Sequence, residues 1–208
     1  MNNEVDRTDC NNDRGRHRRG PSSYWMHDPK VVFDSISLKQ GDWFLDLGCG
    51  PGDYSIKASK LVGDSGVVYA IDKTLSMIEA LKTEASIQGL VNLKAIATDI
   101  TQPLPIEDNC IDVCLISTVL HIPAVSKHIR TVFNEIRRVL KPGGRLAIIE
   151  CKKEDMPFGP PKEMRLSPDD IDHSIMHCDF EKIGMIDLIY NYMIQFAVIK
   201  SISDDIKG

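Results

Sequence analysis

No stretch of this chain is both long and apolar. The most hydrophobic region, near the C-terminus, is interrupted by Asp187, Asn191 and Gln195, so no segment of the sequence predicts a helix that crosses a bilayer. The first residues are polar and lack the apolar core of a secretory signal, and a cytoplasmic protein is expected. Basic excess is missing as well. Twenty-five Lys and Arg against 30 Asp and Glu leave a net charge of −5, which gives no general attraction to nucleic acid or to an anionic membrane. The six cysteines (Cys10, Cys49, Cys110, Cys114, Cys151, Cys178) include no C-x-x-C pair, and a disulfide framework is not expected in a cytosolic chain of this size. Cys110 and Cys114 lie four apart on one face of a predicted strand, where small apolar fillers are common. There is no internal repeat and no sign of a second domain. What remains is 208 residues, 42% hydrophobic and 26% charged, enough for one domain with a full core.

The most informative run is Phe44-Leu-Asp-Leu-Gly-Cys-Gly-Pro-Gly-Asp-Tyr54. Trp43, Phe44, Leu45 and Leu47 predict a buried parallel strand that carries one acidic residue, Asp46. Glycines follow at 48, 50 and 52, and Asp53 is a good N-cap for a helix. Glycine at alternate positions lets the backbone turn sharply and lets a ligand lie against bare main chain. The spacing is not that of a dinucleotide loop: the residue three after Gly50 is Asp53, and the third glycine comes one position early, at Gly52. Acidic residues flank the loop at Asp46 and Asp53, which suits an ammonium or sulfonium ligand better than a phosphate.

Asp46-Leu-Gly-Cys-Gly-Pro-Gly52 resembles motif I of the class I S-adenosylmethionine (SAM)-dependent methyltransferases. Later residues extend the resemblance in the family's order. Val67 to Ile71 is a second apolar strand ending at Asp72, where a carboxylate can accept hydrogen bonds from both ribose hydroxyls. Ala95 to Ile100 resembles the third strand, with Asp99 near its end, and Ile111 to Ser117 the fourth, followed by Thr118-Val-Leu-His121. Val139 to Leu146 resembles the helix-to-strand turn before strand five. The stretch from Glu150 to Ser167 is similar to one in the ubiquinone/menaquinone-methylase-like small methyltransferases, although Cys151 stands where those relatives often have Trp.

The resemblance implies an α/β, Rossmann-like class I methyltransferase fold: a seven-stranded, mostly parallel sheet with an antiparallel last strand and helices on both faces. Its cofactor is SAM and its product S-adenosylhomocysteine (SAH). Gly48, Gly50 and Gly52, with Cys49, would let the methionine part approach the backbone. Asp46 would act near its amino group and Asp72 on the ribose. Asp99 would meet the adenine amino group, with Ile100 and Met77 on the ring, and Lys73 and Ser117 complete the expected cofactor set. The acceptor is expected to be a small molecule. Tyr24, His27, His121, Cys151 and Arg165 are candidates for its pocket, and His121 is the candidate general base or acceptor-orienting group.

Residues 1–22 predict a flexible leader, with a basic run from Arg14 to Arg19 that is either disordered, a lid or a docking arm; residues 23–208 form the single expected domain. Asp28-Pro29 predicts the start of a leading helix, Tyr54 to Val62 a helix closed by Gly63, and Val125 to Val139 another helix. Ser167-Pro-Asp-Asp170 signals a further helix ending near Cys178, and Met185 to Ile199 two strands turning near Asn191. His173 and His177 stand at i and i+4 without the glutamate of a zinc-protease helix, and no metal is expected. Arg165 is open to an anionic acceptor or to Glu163. A non-catalytic SAM- or SAH-binding protein and a methyltransferase of protein or tRNA remain the alternatives. A nicotinamide enzyme is disfavoured by the glycine spacing.

Overall fold

The computed structural model describes residues 22–199, so the expected leader apart from Ser22, with Cys10 and the Arg14–Arg19 run, lies outside the described residues, as do residues 200–208. Asp28 caps helix α1 (Pro29–Ile36) by accepting the Lys30 amide, and Pro29 fills the first turn, where its missing N–H costs nothing. Next come β1 (Trp43–Leu47), α2 (Asp53–Val62), β2 (Val67–Asp72), α3 (Leu75–Ile87) and β3 (Leu93–Ala97). The second half holds β4 (Ile111–Ser117), the single-turn α4 (Pro123–Ser126), α5 (Ile129–Val139), β5 (Leu140–Cys151), α6 (Pro168–Ile175), β6 (Phe180–Leu188) and β7 (Asn191–Val198). Short 3-10 turns cover Ser23–Met26 and Lys162–Met164.

These strands make one seven-stranded sheet in the order β3-β2-β1-β4-β5-β7-β6. β7 runs antiparallel to both of its neighbours and every other pairing is parallel. Strand alternation splits the core into two layers. Along β4, Val113 and Leu115 face α1 and α2 with Val32, Phe33, Tyr54 and Ala58. Cys114 and Ile116 face the other way, towards Val132, Phe133 and Ile136 of α5. Each of those three fully buried α5 side chains contributes about 1.5–3 kcal/mol by leaving water. Among the described residues no helix is long and apolar enough to cross a membrane.

Several boundaries differ from the sequence reading. Gly52, not Asp53, is the N-cap of α2, with φ +82°, and Asp53 is the first helical residue. β3 starts two residues before Ala95 and ends at Ala97, leaving Asp99 on the exposed loop beyond it. The expected helix over 125–139 is two helices, broken at Lys127–His128. Cys110 precedes β4 and its thiol bonds the Glu107 carbonyl, so it does not share a strand face with the buried Cys114. The turn expected within Val139–Leu146 persists as an irregularity: Ile111 pairs with Leu140 but Val113 with Arg145, so Lys141–Gly144 loop out of the ladder. β6 begins at Phe180, five residues before Met185, and the hairpin turns at Ile189 and Tyr190.

Candidate functional site

The strand order reverses between β1 and β4, and ligands of open α/β sheets bind outside the carboxyl ends of strands at such a switch point. A cleft of about 260 Å³ opens there. Its floor is the glycine loop after β1. The amides of Gly48 and Cys49 both donate to the Ile71 carbonyl at the end of β2, at 2.7 and 2.9 Å, which pins the loop across two strands. The Gly50 amide donates to Asp72 Oδ2 at 3.0 Å, and the Thr74 amide to Asp72 Oδ1 at 2.8 Å. Asp72 therefore ties together the two turns that frame the cleft.

Gly50 and Gly52 serve different ends. Both have positive φ. A Cβ on Gly52 would meet Leu81 Cδ1 at 2.4 Å, so this glycine lets the loop close onto α3. A Cβ on Gly50 would have nothing within 4 Å. Bare backbone there faces open space, as a close-lying ligand needs.

Ten residues of the expected cofactor set line this cleft: Asp46, Gly48, Cys49, Gly50, Asp72, Lys73, Met77, Asp99, Ile100 and Ser117. Gly52 lies behind the loop. Asp46 is buried, and its Oδ2 accepts the Ser55 hydroxyl. Loss of water pushes its carboxyl up to about 7, against the pull of the hydrogen bonds from Ser55. At Asp99 the Thr101 amide and hydroxyl, at 2.9 and 2.8 Å, hold the carboxyl below its usual range. Three carboxylates and a single lysine make a lining that matches a ligand with hydroxyl, amino and sulfonium groups, and a poor one for pyrophosphate.

The acceptor candidates do not form a single pocket, although Tyr24 and His27 meet on Tyr54. Tyr24 packs edge-on against Tyr54 with ring centroids 5.0 Å apart, and His27 Nε2 lies 2.6 Å from the Tyr54 hydroxyl. His121 Nδ1 lies 2.8 Å from Glu150 Oε2, while Glu150 Oε1 accepts the Leu120 and His121 amides. That buried carboxylate ties the turn after β4 to the end of β5. Cys151 is buried, with the Asn191 amide on its sulfur, and desolvation pushes its thiol up. None of Tyr24, His27, His121, Cys151 or Arg165 is among the residues that line the cleft.

Arg165 has other partners than the expected Glu163. Its guanidinium is buried and donates to the carbonyls of Pro160, Lys152, Glu154 and Phe158. It staples the proline-rich loop from inside, through backbone carbonyls and not through Glu163. His173 Nδ1 bonds the Asp169 carbonyl, and His177 lies beyond the end of α6, so the two do not share a helical face.

The sequence reading missed the opposite wall. Ser22, Ser23 and Tyr54 line the cleft, together with Thr118, Val119 and Ile122 from the turn after β4. Tyr54 left one signal: an aromatic residue in the first turn of the helix that leaves a ligand-binding loop.

Comparison with known proteins agrees with this geometry. Residues 38–196 match the family described as Methyltransferase domain. A ubiquinone/menaquinone biosynthesis C-methyltransferase of Vibrio parahaemolyticus is 34% identical over 125 residues, 60% of this chain and 47% of that protein. A demethylmenaquinone methyltransferase of Staphylococcus aureus is 34% identical over 128 residues, 62% of this chain and 51% of that one. The chain thus spans about half the length of these curated relatives. The crystal structure of a SAM-dependent methyltransferase from Aquifex aeolicus superposes with a TM-score of 0.79 at 28% identity, covering 90% of this chain and 98% of that one.

Proposed function

The chain belongs to the methyltransferase-domain family, and on that premise we propose that it transfers the methyl group of SAM to a small-molecule acceptor and releases SAH. The observation that carries this reading is the cleft at the switch point, where the open backbone at Gly50 adjoins the carboxylates of Asp46, Asp72 and Asp99. When bound, SAM supplies a methyl carbon activated by its sulfonium, so the protein's own work is binding and alignment. Asp72 would hold the ribose hydroxyls, Asp46 the amino group and Asp99 the adenine amino group. Ile100 and Met77 would pack on the ring, with Lys73 and Cys49 beside them. Val119 and Ile122 supply apolar wall that keeps water from the reacting atoms. The names of the two relatives support a small acceptor, and the net charge of −5 gives a nucleic acid no electrostatic hold.

The test is SAH release from SAM with a panel of small hydroquinone, amine and carboxylate acceptors, beside a bulk tRNA and a bulk protein substrate. Turnover of a small acceptor supports the proposal. Turnover with only the macromolecules, or SAM binding without any turnover, would shift the reading to one of the alternatives.

His121 enters this proposal as a positioning residue, because Glu150 holds its ring and its amide together. His121→Gln is expected to lower the melting temperature by about 2–3 °C, as a loss of roughly 1 kcal/mol does in a chain of this size. Methyl transfer should fall less than about tenfold, with an unchanged pH profile. A loss of about a hundredfold or more, with the loss of one limb of the profile, would instead identify His121 as the general base.

A further inference from the structure

The cleft ends in a group of uncharged polar side chains, of which only Ser117 belongs to the expected cofactor set. Tyr54, buried and in the first turn of α2, points its hydroxyl at His27 Nε2, 2.6 Å away. Ser117, at the end of β4, and Ser23, in the turn before α1, stand beside the same hydroxyl. Ser23 and Ser117 also bond each other at 2.8 Å. Ser23, Tyr54 and Ser117 line the cleft and His27 stands behind them. The charge that acts on Tyr54 is that of the Asp46 carboxyl, which already takes the Ser55 hydroxyl.

Burial decides how this group shares its protons. It pulls the His27 imidazole down, with Asp28 opposing, so the ring is neutral at pH 7. It also pushes the Tyr54 phenol up, so the hydroxyl keeps its proton. A neutral imidazole has one N–H, and His27 Nδ1 is buried with no hydrogen-bond partner. Orphaned buried N–H groups are rare, which assigns the hydrogen to Nε2. Nε2–H then donates to the Tyr54 oxygen, and the Tyr54 O–H is left to donate towards the serines and the cleft.

We propose that Tyr54, oriented by His27, is the acceptor-binding residue and that it donates its hydrogen bond to an uncharged or incipiently anionic oxygen of the acceptor. The inference rests on the methyltransferase reading of the same cleft. Ser23 and Ser117 are its adjustable neighbours, because a hydroxyl both donates and accepts and can turn to a new partner. The group contains no cation to pair with a carboxylate or phosphate and no further carboxylate to pair with an amine. It selects oxygen compounds such as phenols and enols over charged acceptors.

Two measurements test this. The first is titration of the SAH-saturated protein with phenol, benzylamine and benzoate, followed through the imidazole resonances of His27, for the wild type and for Tyr54→Phe, which keeps the packed ring. Phenol should bind at least about tenfold more tightly than either charged probe, and that preference should vanish in Tyr54→Phe. Equal binding of a charged probe, no phenol binding, or an undiminished preference in Tyr54→Phe would overturn the proposal. The second is the nitrogen chemical shifts of His27, which should report the Nε2–H tautomer; Nδ1–H would remove the outward-facing Tyr54 donor. Should SAH fail to bind at all, the methyltransferase reading falls. The same probes titrated into the apoprotein, together with the tautomer, would then still decide the role of Tyr54.

Discussion

Gly50→Leu should abolish SAM binding, weakening it by at least about a hundredfold, while the chain still folds. The expectation follows from where a side chain would go. Residue 50 has φ +51°, a left-handed conformation that costs an L-residue about 1–2 kcal/mol, and a Cβ there would touch nothing within 4 Å. The added leucine therefore projects into the cleft instead of into the core. Gly52→Ala is the control. Its new methyl would lie 2.4 Å from a Leu81 side chain that is fully buried, so the loss should appear in the stability of the fold. Denaturant unfolding and ligand titration of both variants separate the two effects. If Gly50→Leu bound SAM as the wild type does, the ligand would not lie against this loop.

Asp46→Asn should make the protein more stable and worse at its task. Burial raises the Asp46 carboxyl from its ordinary value of 3.8 to about 7, so the folded chain holds a proton there that the unfolded chain releases. The contribution of this group to stability is therefore fully present below about pH 4 and is lost as the pH rises through about 7. The difference amounts to roughly 4 kcal/mol at pH 8. Asparagine is never charged and should recover much of it, and urea unfolding at pH 5 and pH 8 would show a gain in the variant that is clearly larger at the higher pH. In the proposed role the ionised carboxylate meets the amino group of the ligand, so wild-type affinity for SAH should increase as the pH rises from 5.5 to 7. The variant should bind weakly throughout, without that dependence. Equal stability gains at both pH values would show that Asp46 is not held protonated by burial.

These two residues were legible in the sequence because their signals are local. A buried strand, one acid within it and three alternating glycines announce themselves in ten residues, and β1 and β4 fall where the apolar runs predict them. Elements that depend on distant partners were harder to read. β6 is an edge strand with a register shift between Lys182 and Gly184, so its first half, Phe180 to Gly184, mixes charge and glycine where a central strand would be apolar. The partners of Arg165 could not be read from the sequence because all four carbonyls are backbone groups, which carry no residue identity. The wall built from Ser23, His27, Tyr54 and Ser117 joins three segments, with Ser23 and Ser117 separated by 94 positions. No periodicity reports such a contact.

Calorimetric titration with SAM and SAH, beside NAD and with Asp72→Ala as the variant, tests the central claim most directly. Asp72 joins the Gly50 and Thr74 amides and is assigned the ribose, so its loss should remove both the frame of the cleft and a ligand contact. The account predicts micromolar binding of both adenosyl ligands, lost in Asp72→Ala and absent for NAD. Failure of SAM and SAH to bind the wild type, or binding of NAD in their place, would contradict it.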